Sequence, residues 1–124
     1  MTRSDELMLA AIRMKTSMKM NGREVTTAGD ISTITLHGFP AVAVRVAENV
    51  VRVCGAVLVS RKSAKVINII LDTYTDCHIR GVNGCWVLEN RKGDEVPIGK
   101  NIVTIPITKE DRNIKEIETY VESK

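Results

Sequence analysis

Ser60-Arg61-Lys62-Ser63-Ala64-Lys65-Val66-Ile67-Asn68-Ile69-Ile70-Leu71 is the stretch on which the fold turns. Read as a helix, it has a natural N-cap in Ser60, and Ala64, Ile67, Ile70 and Leu71, with Tyr74 beyond, fall on one face. Two features pull toward a strand. The β-branched content is high, and Arg61 and Lys62 sit in the first turn, the end at which the helix dipole disfavours cations. The one-sided apolar face favours the helix.

Upstream of this helix the pattern alternates. Ile34 and Leu36 alternate with Thr33, Thr35 and His37 until Gly38-Phe39-Pro40 breaks the run. Val42, Val44 and Val46 then alternate with Ala43, Arg45 and Ala47, and Val51 and Val53 continue the same face after Glu48-Asn49. A two-residue turn would pair Val46 with Val51, Val44 with Val53 and Arg45 with Arg52. Ala56 to Val59 is apolar throughout, either a central strand or the lead into the helix. Nearer the start, Thr2 and Asp5 form a capping box for a helix over about residues 3–20. Its stripe is Leu7, Ala11, Met14 and Met18, and Asn21-Gly22 stops it. The stripe is expected to be buried, on the sheet or across the two-fold axis of a homodimer. Residues 23–30 show no periodicity and read as a loop.

Downstream, Cys77-His78-Ile79-Arg80 and Trp86-Val87-Leu88-Glu89 flank Asn83-Gly84, the sequence of a type I′ hairpin turn. That register sets Ile79 against Leu88 and Gly81 against Trp86, with the glycine leaving room for the indole. It also puts Cys77 and Cys85 on opposite faces, as small buried hydrophobes. Residues 90–93 form a charged turn. Ile102 to Ile107 is a strand, placed at an edge because Pro106 has no N–H for a ladder. Thr108 and Asp111 open a C-terminal helix over about residues 109–122. The expected architecture is α+β, a small mixed or mostly antiparallel sheet over about residues 31–107 with helices packed on one face. Residues 1–124 make a single domain.

Composition agrees. Of 124 residues, 44% are hydrophobic, a globular proportion, and only four are Phe, Tyr or Trp, so the core must be aliphatic. No apolar run is long enough to cross a membrane, and the charged N-terminus lacks the block of a secretory signal. Three cysteines at wide spacing suit reduced thiols, so the expected location is cytoplasmic and no disulfide is expected.

Catalytic and cofactor signatures are missing from the sequence. Cys77 and His78 are strand neighbours and point to opposite faces. No CxxC, HExxH, GxGxxG or GxxxxGK[ST] occurs, and no cofactor or metal is expected. Cations are the one functional thread, in a chain of formal charge +3. Arg61, Lys62 and Lys65 stand where free helix N–H groups could help hold a phosphate. Arg45 and Arg52 face each other on the solvated side of the sheet, an arrangement that wants an anion between them, and Arg80 extends the strip.

Residues 38–89 resemble a short domain of small accessory proteins of tailed bacteriophages. The resemblance is carried by Gly38-Phe39-Pro40, then Ser60 and Ser63, Lys65, Ile67 and Asn68, and finally Trp86-Val87. It differs in having a full Val hairpin between the proline and the hydroxyl residues. It implies a phage-encoded, host-directed or replication-associated protein and names no activity. The expectation is thus a non-enzymatic protein engaging a host or phage protein through a basic surface in the host cytoplasm. The alternative is a DNA- or RNA-binding regulator.

Overall fold

A computed structural model describes residues 2–58 and 60–109. The fold is α+β, with two helices and two antiparallel sheets in that span. Helix α1 (Arg3–Met14) is followed by β1 (Met18–Met20), β2 (Arg23–Ala28), β3 (Ile31–Leu36), β4 (Phe39–Arg45) and β5 (Val50–Cys54). Helix α2 (Arg61–Tyr74) leads to β6 (His78–Val82), β7 (Cys85–Glu89), β8 (Glu95–Pro97) and β9 (Ile102–Pro106). The larger sheet runs β1-β2-β3-β4-β5-β9 and the smaller β6-β7-β8. The expected C-terminal helix lies outside the described residues.

The capping box of α1 forms as expected: Thr2 accepts from the Asp5 N–H, and Asp5 accepts from the Thr2 N–H. The helix is shorter than its apolar rhythm suggested, ending at Lys15 in the left-handed region (φ 54°). Its buried face is Ser4, Asp5, Met8, Leu9, Ala11 and Ile12, rotated from the expected stripe, and Met14 is 62% exposed. Asn21-Gly22 is no helix stop. With φ of 50° and 76°, it turns β1 into β2 as a two-residue hairpin turn. The expected loop at residues 23–30 is therefore mostly strand. Its alternation is hidden because only Val25 is an apolar residue fully buried there.

One row crosses the whole larger sheet: Met18, Val25, Ile34, Val42, Val53 and Val103 are successive cross-strand partners. The four central residues of that row are at most 3% exposed. Helix α1 packs on β1 and β2, and α2 packs on β5 and β6. Buried residues of both helices and both sheets join one aliphatic core. β9 is an edge strand with Pro106 at its end, as its proline requires.

Helix α2 matches its sequence reading. Ser60 accepts from the Ser63 N–H, and Ala64, Ile67, Ile70, Leu71 and Tyr74 are buried along with Ser63. Asn83-Gly84 adopts φ of 49° and 78°, with Ile79 opposite Leu88 and Gly81 opposite Trp86. The Val hairpin departs from its expected register. Residues 46–49 form a longer turn around a 3₁₀ helix, so Val44 pairs with Val51, Arg45 with Val50 and Arg52 with Ala43. A shift of two positions keeps each paired side chain on its own face, so Val42, Val44, Val51 and Val53 remain inside, whereas Val46, expected on that face, lies in the turn and is 51% exposed. β8 was not foreseen; its three residues are all exposed and carry no periodic signal.

Candidate functional site: a groove between α2 and the β6–β7 hairpin

Asn68 builds the site. Its side-chain amide donates to the Ile79 carbonyl at 2.9 Å and its side-chain oxygen accepts from the Ile79 N–H at 2.6 Å. Both backbone groups of one strand residue are thereby satisfied by one helix side chain, fixing the distance between α2 and the hairpin. Beside this clamp lies a groove of about 780 Å³. Arg61, Lys65, Asn68 and Asp72 line it from α2, at the four-three-four spacing of one helix face. From the hairpin come Ile79, Gly81, Cys85 and Trp86. The indole lies over Gly81, where an added Cβ would sit 3.5 Å from the ring. Asp72 stands eleven residues from Arg61, roughly 16 Å along the helix axis. The groove is thus cationic at one end, acidic at the other, and apolar beside Asn68.

The six candidate cations do not form one strip. Arg45 and Arg52 are diagonal neighbours on the outer sheet face, and the anion they need is supplied internally. Glu48 reaches Arg45 at 2.5 Å and Arg52 at 3.6 Å. Asp30 binds Arg45 at 3.1 Å, and that hydrogen bond holds the Asp30 carboxyl below its ordinary range. Arg80 does the converse job. Glu89 and Glu95 are direct cross-strand partners, and Arg80 pairs with both. Its guanidinium is therefore committed, although the residue lines the groove. Arg61, Lys62 and Lys65 are exposed, and none has an ion-pair partner among the described residues. Arg61 and Lys65 face the groove, while Lys62 and Lys65 face a smaller cavity on the other side of α2.

The cysteines are free thiols, Cys54 and Cys77 half-buried and Cys85 exposed. Cys85 is thus not the buried hydrophobe expected, because it opens β7 at the rim of the hairpin. Burial, with Asp76 nearby, pushes the Cys77 thiol up. No three His, Cys, Asp or Glu among the described residues converge as metal ligands. No helix among them is long and apolar enough to cross a membrane. Asn68 and Asp72 were not among the candidate site residues. Asn68 could have been flagged as the one polar residue within the run Val66–Leu71. Comparison with protein-family models, curated proteins and solved structures finds no match.

Proposed function

We propose that this is a non-enzymatic binding protein that takes an extended acidic segment of a partner protein into the groove between α2 and the β6–β7 hairpin. The observation that carries the reading is that Arg61 and Lys65 have no ion-pair partner among the described residues at one end of a groove containing Trp86. An aromatic ring beside uncommitted cations is the composition of a protein-recognition hot spot. Asp72 favours a protein segment, whose acidic side chains can be confined to the Arg61 and Lys65 end, over a nucleic-acid backbone, whose next phosphate along the groove would meet a carboxylate. The same conclusion follows from Arg45, Arg52 and Arg80, whose internal partners break the continuous basic track a phosphate chain follows. The groove falls inside the stretch resembling phage accessory proteins, and the proposal extends to a phage-encoded protein acting on a host protein in the cytoplasm. A homodimer belongs to the same proposal, with Met14 as its apolar handle on α1.

The test is a pull-down from bacterial lysate with and without nuclease, followed by titration of the captured partner's acidic segment. Capture that survives nuclease, and that weakens about tenfold or more in the R61E/K65E double variant, is the expected result. Capture that disappears with nuclease would transfer the function to nucleic acid. In that event three phosphate contacts would give a log–log salt slope of roughly −2 to −3.

A further inference from the structure

The smaller cavity, of about 290 Å³, lies where the start of α1, the first turns of α2 and two hairpin turns meet. Its charge is one-sided. Among the described residues Asp5 is the only acid that lines it, and Asp5 is already spent. Its carboxylate binds Arg23 Nη1 at 2.5 Å and the Thr2 N–H at 2.9 Å. Burial alone would raise this carboxyl, but the Arg23 hydrogen bond and those of Thr2 outweigh it and bring it down to about 2. The charge left over is that of Lys62 and Lys65.

Two further groups face the same space. Ser63 is only 5% exposed and accepts from the Ser60 hydroxyl at 3.2 Å. That hydroxyl lies in the cavity wall, with Ser60 as its side-chain partner. His37 occupies the first position of a His-Gly turn with φ 50°. Its N–H donates to the Gly22 carbonyl at 2.7 Å, and an added Cβ on Gly22 would lie 2.7 Å from its Cε1. The corresponding position of the other two turns of this kind holds asparagine, Asn21 and Asn83, at φ of 50° and 49°. Asparagine therefore serves the backbone, and histidine adds an imidazole beside Gly22 in the cavity lining.

We propose that this cavity is a binding site for a phosphate-class oxyanion, held by Lys62, Lys65, Ser63 and His37. Two ammonium-bearing residues, a hydroxyl and an imidazole line one space that has no uncommitted carboxylate among the described residues, which is the chemistry such an anion selects. The site adjoins the groove and shares Lys65 and Ile69 with it, but Lys62, Ser63 and His37 do not line the groove, and Arg61 and Trp86 do not line the cavity.

The experiment is an amide-resolved NMR titration of the full chain with inorganic phosphate, then with a phosphoserine peptide. Saturable shifts at residues 62–63 and 37–38 are expected. Lys62→Ala should weaken binding about tenfold, the size of one lost charged hydrogen bond. His37→Asn, which keeps the turn, should weaken it severalfold, and Arg61→Ala should leave phosphate binding unchanged. The variants' amide dispersion establishes that they are folded. A peptide that binds more tightly than inorganic phosphate at these same residues identifies a protein-borne phosphate; equal affinity identifies the free ion. Shifts that grow linearly without saturation, or that are the same in Lys62→Ala and His37→Asn as in the parent, would overturn the site. Because Lys65 lines both spaces, the two readings are separated by Arg61→Ala, which touches the groove and not the cavity, and by Lys62→Ala and His37→Asn, which touch the cavity and not the groove, so they fail separately.

Discussion

The arginines of the two sheets and the cations of helix α2 are treated in opposite ways. In the sheets the arginines resolve local conflicts. Glu48 lies between Arg45 and Arg52, and Arg80 lies between Glu89 and Glu95. At the buried end of the scale, Arg23 and Asp5 are 13% and 5% exposed in their side chains and hold α1 against β2. On α2, Arg61, Lys62 and Lys65 meet no carboxylate among the described residues and stand at the helix end where the dipole is against them. A cation that improves the fold needs no other explanation. One that works slightly against it has to be explained by something outside the fold, and this is why α2 rather than the sheet is the place to look for a ligand.

The contrast can be broken first at its buried end. Arg23→Ala would leave the Asp5 carboxylate enclosed without its guanidinium, and removing one partner of a buried pair costs about 3–5 kcal/mol. Urea denaturation should show that loss as a lower midpoint with an unchanged slope. A midpoint within error of the parent would place Arg23 among the idle cations. Acid gives a second, smaller effect. The Asp5 carboxyl lies at about 2 in the folded chain against an ordinary 3.8, a lowered value. Its contribution is therefore complete above pH 4 and lost as the pH falls from about 4 to 2. The shift corresponds to about 2 kcal/mol. The Arg23→Ala variant should lose most of this acid dependence, because burial then opposes the remaining Thr2 hydrogen bonds.

How far the fold could be read from the residues depended on how much of each signal was local. Asn-Gly occurs twice as a hairpin turn. At Asn83-Gly84 it stands between two runs with clear inward residues, and its register follows residue for residue. At Asn21-Gly22 the same dipeptide follows an apolar helix rhythm, and Met18 extends that rhythm while lying in a strand. Helix and strand periods coincide over three residues, so nothing local separates them. The register of β4 and β5 depended on whether the turn took two residues or four, and Asn49 at φ 62° decides it by closing a 3₁₀ turn. The site was legible only in part. Arg61, Lys62 and Lys65 were visible as a cluster, but the neutralisation of Arg45 by Asp30 and of Arg80 by Glu89 and Glu95 depends on contacts beyond one strand, and that of Arg52 on Glu48 lying in a turn whose length the alternation did not fix. The clamp of Asn68 on Ile79 spans eleven residues and two kinds of structure, and no spacing rule reports it.

The smallest expected effect sharpens the comparison most, because its sign differs from all the others. Replacing Arg61, Lys62 and Lys65 together by alanine removes two cations from the first turn of α2 and one from the second. Relief of the dipole should stabilise the fold by roughly 0.3–1 kcal/mol at low ionic strength. Alanine's higher helix propensity works in the same direction, though by little against Arg and Lys. The electrostatic part should shrink as salt rises and the charges are screened, whereas the propensity part should not. Thermal unfolding of parent and variant at 20 and 300 mM salt separates the two. A raised midpoint at low salt that narrows toward the parent at high salt shows that the three cations are held at a net cost to folding. A lowered midpoint would show instead that they support the helix, and the reason for assigning them to a ligand would be gone.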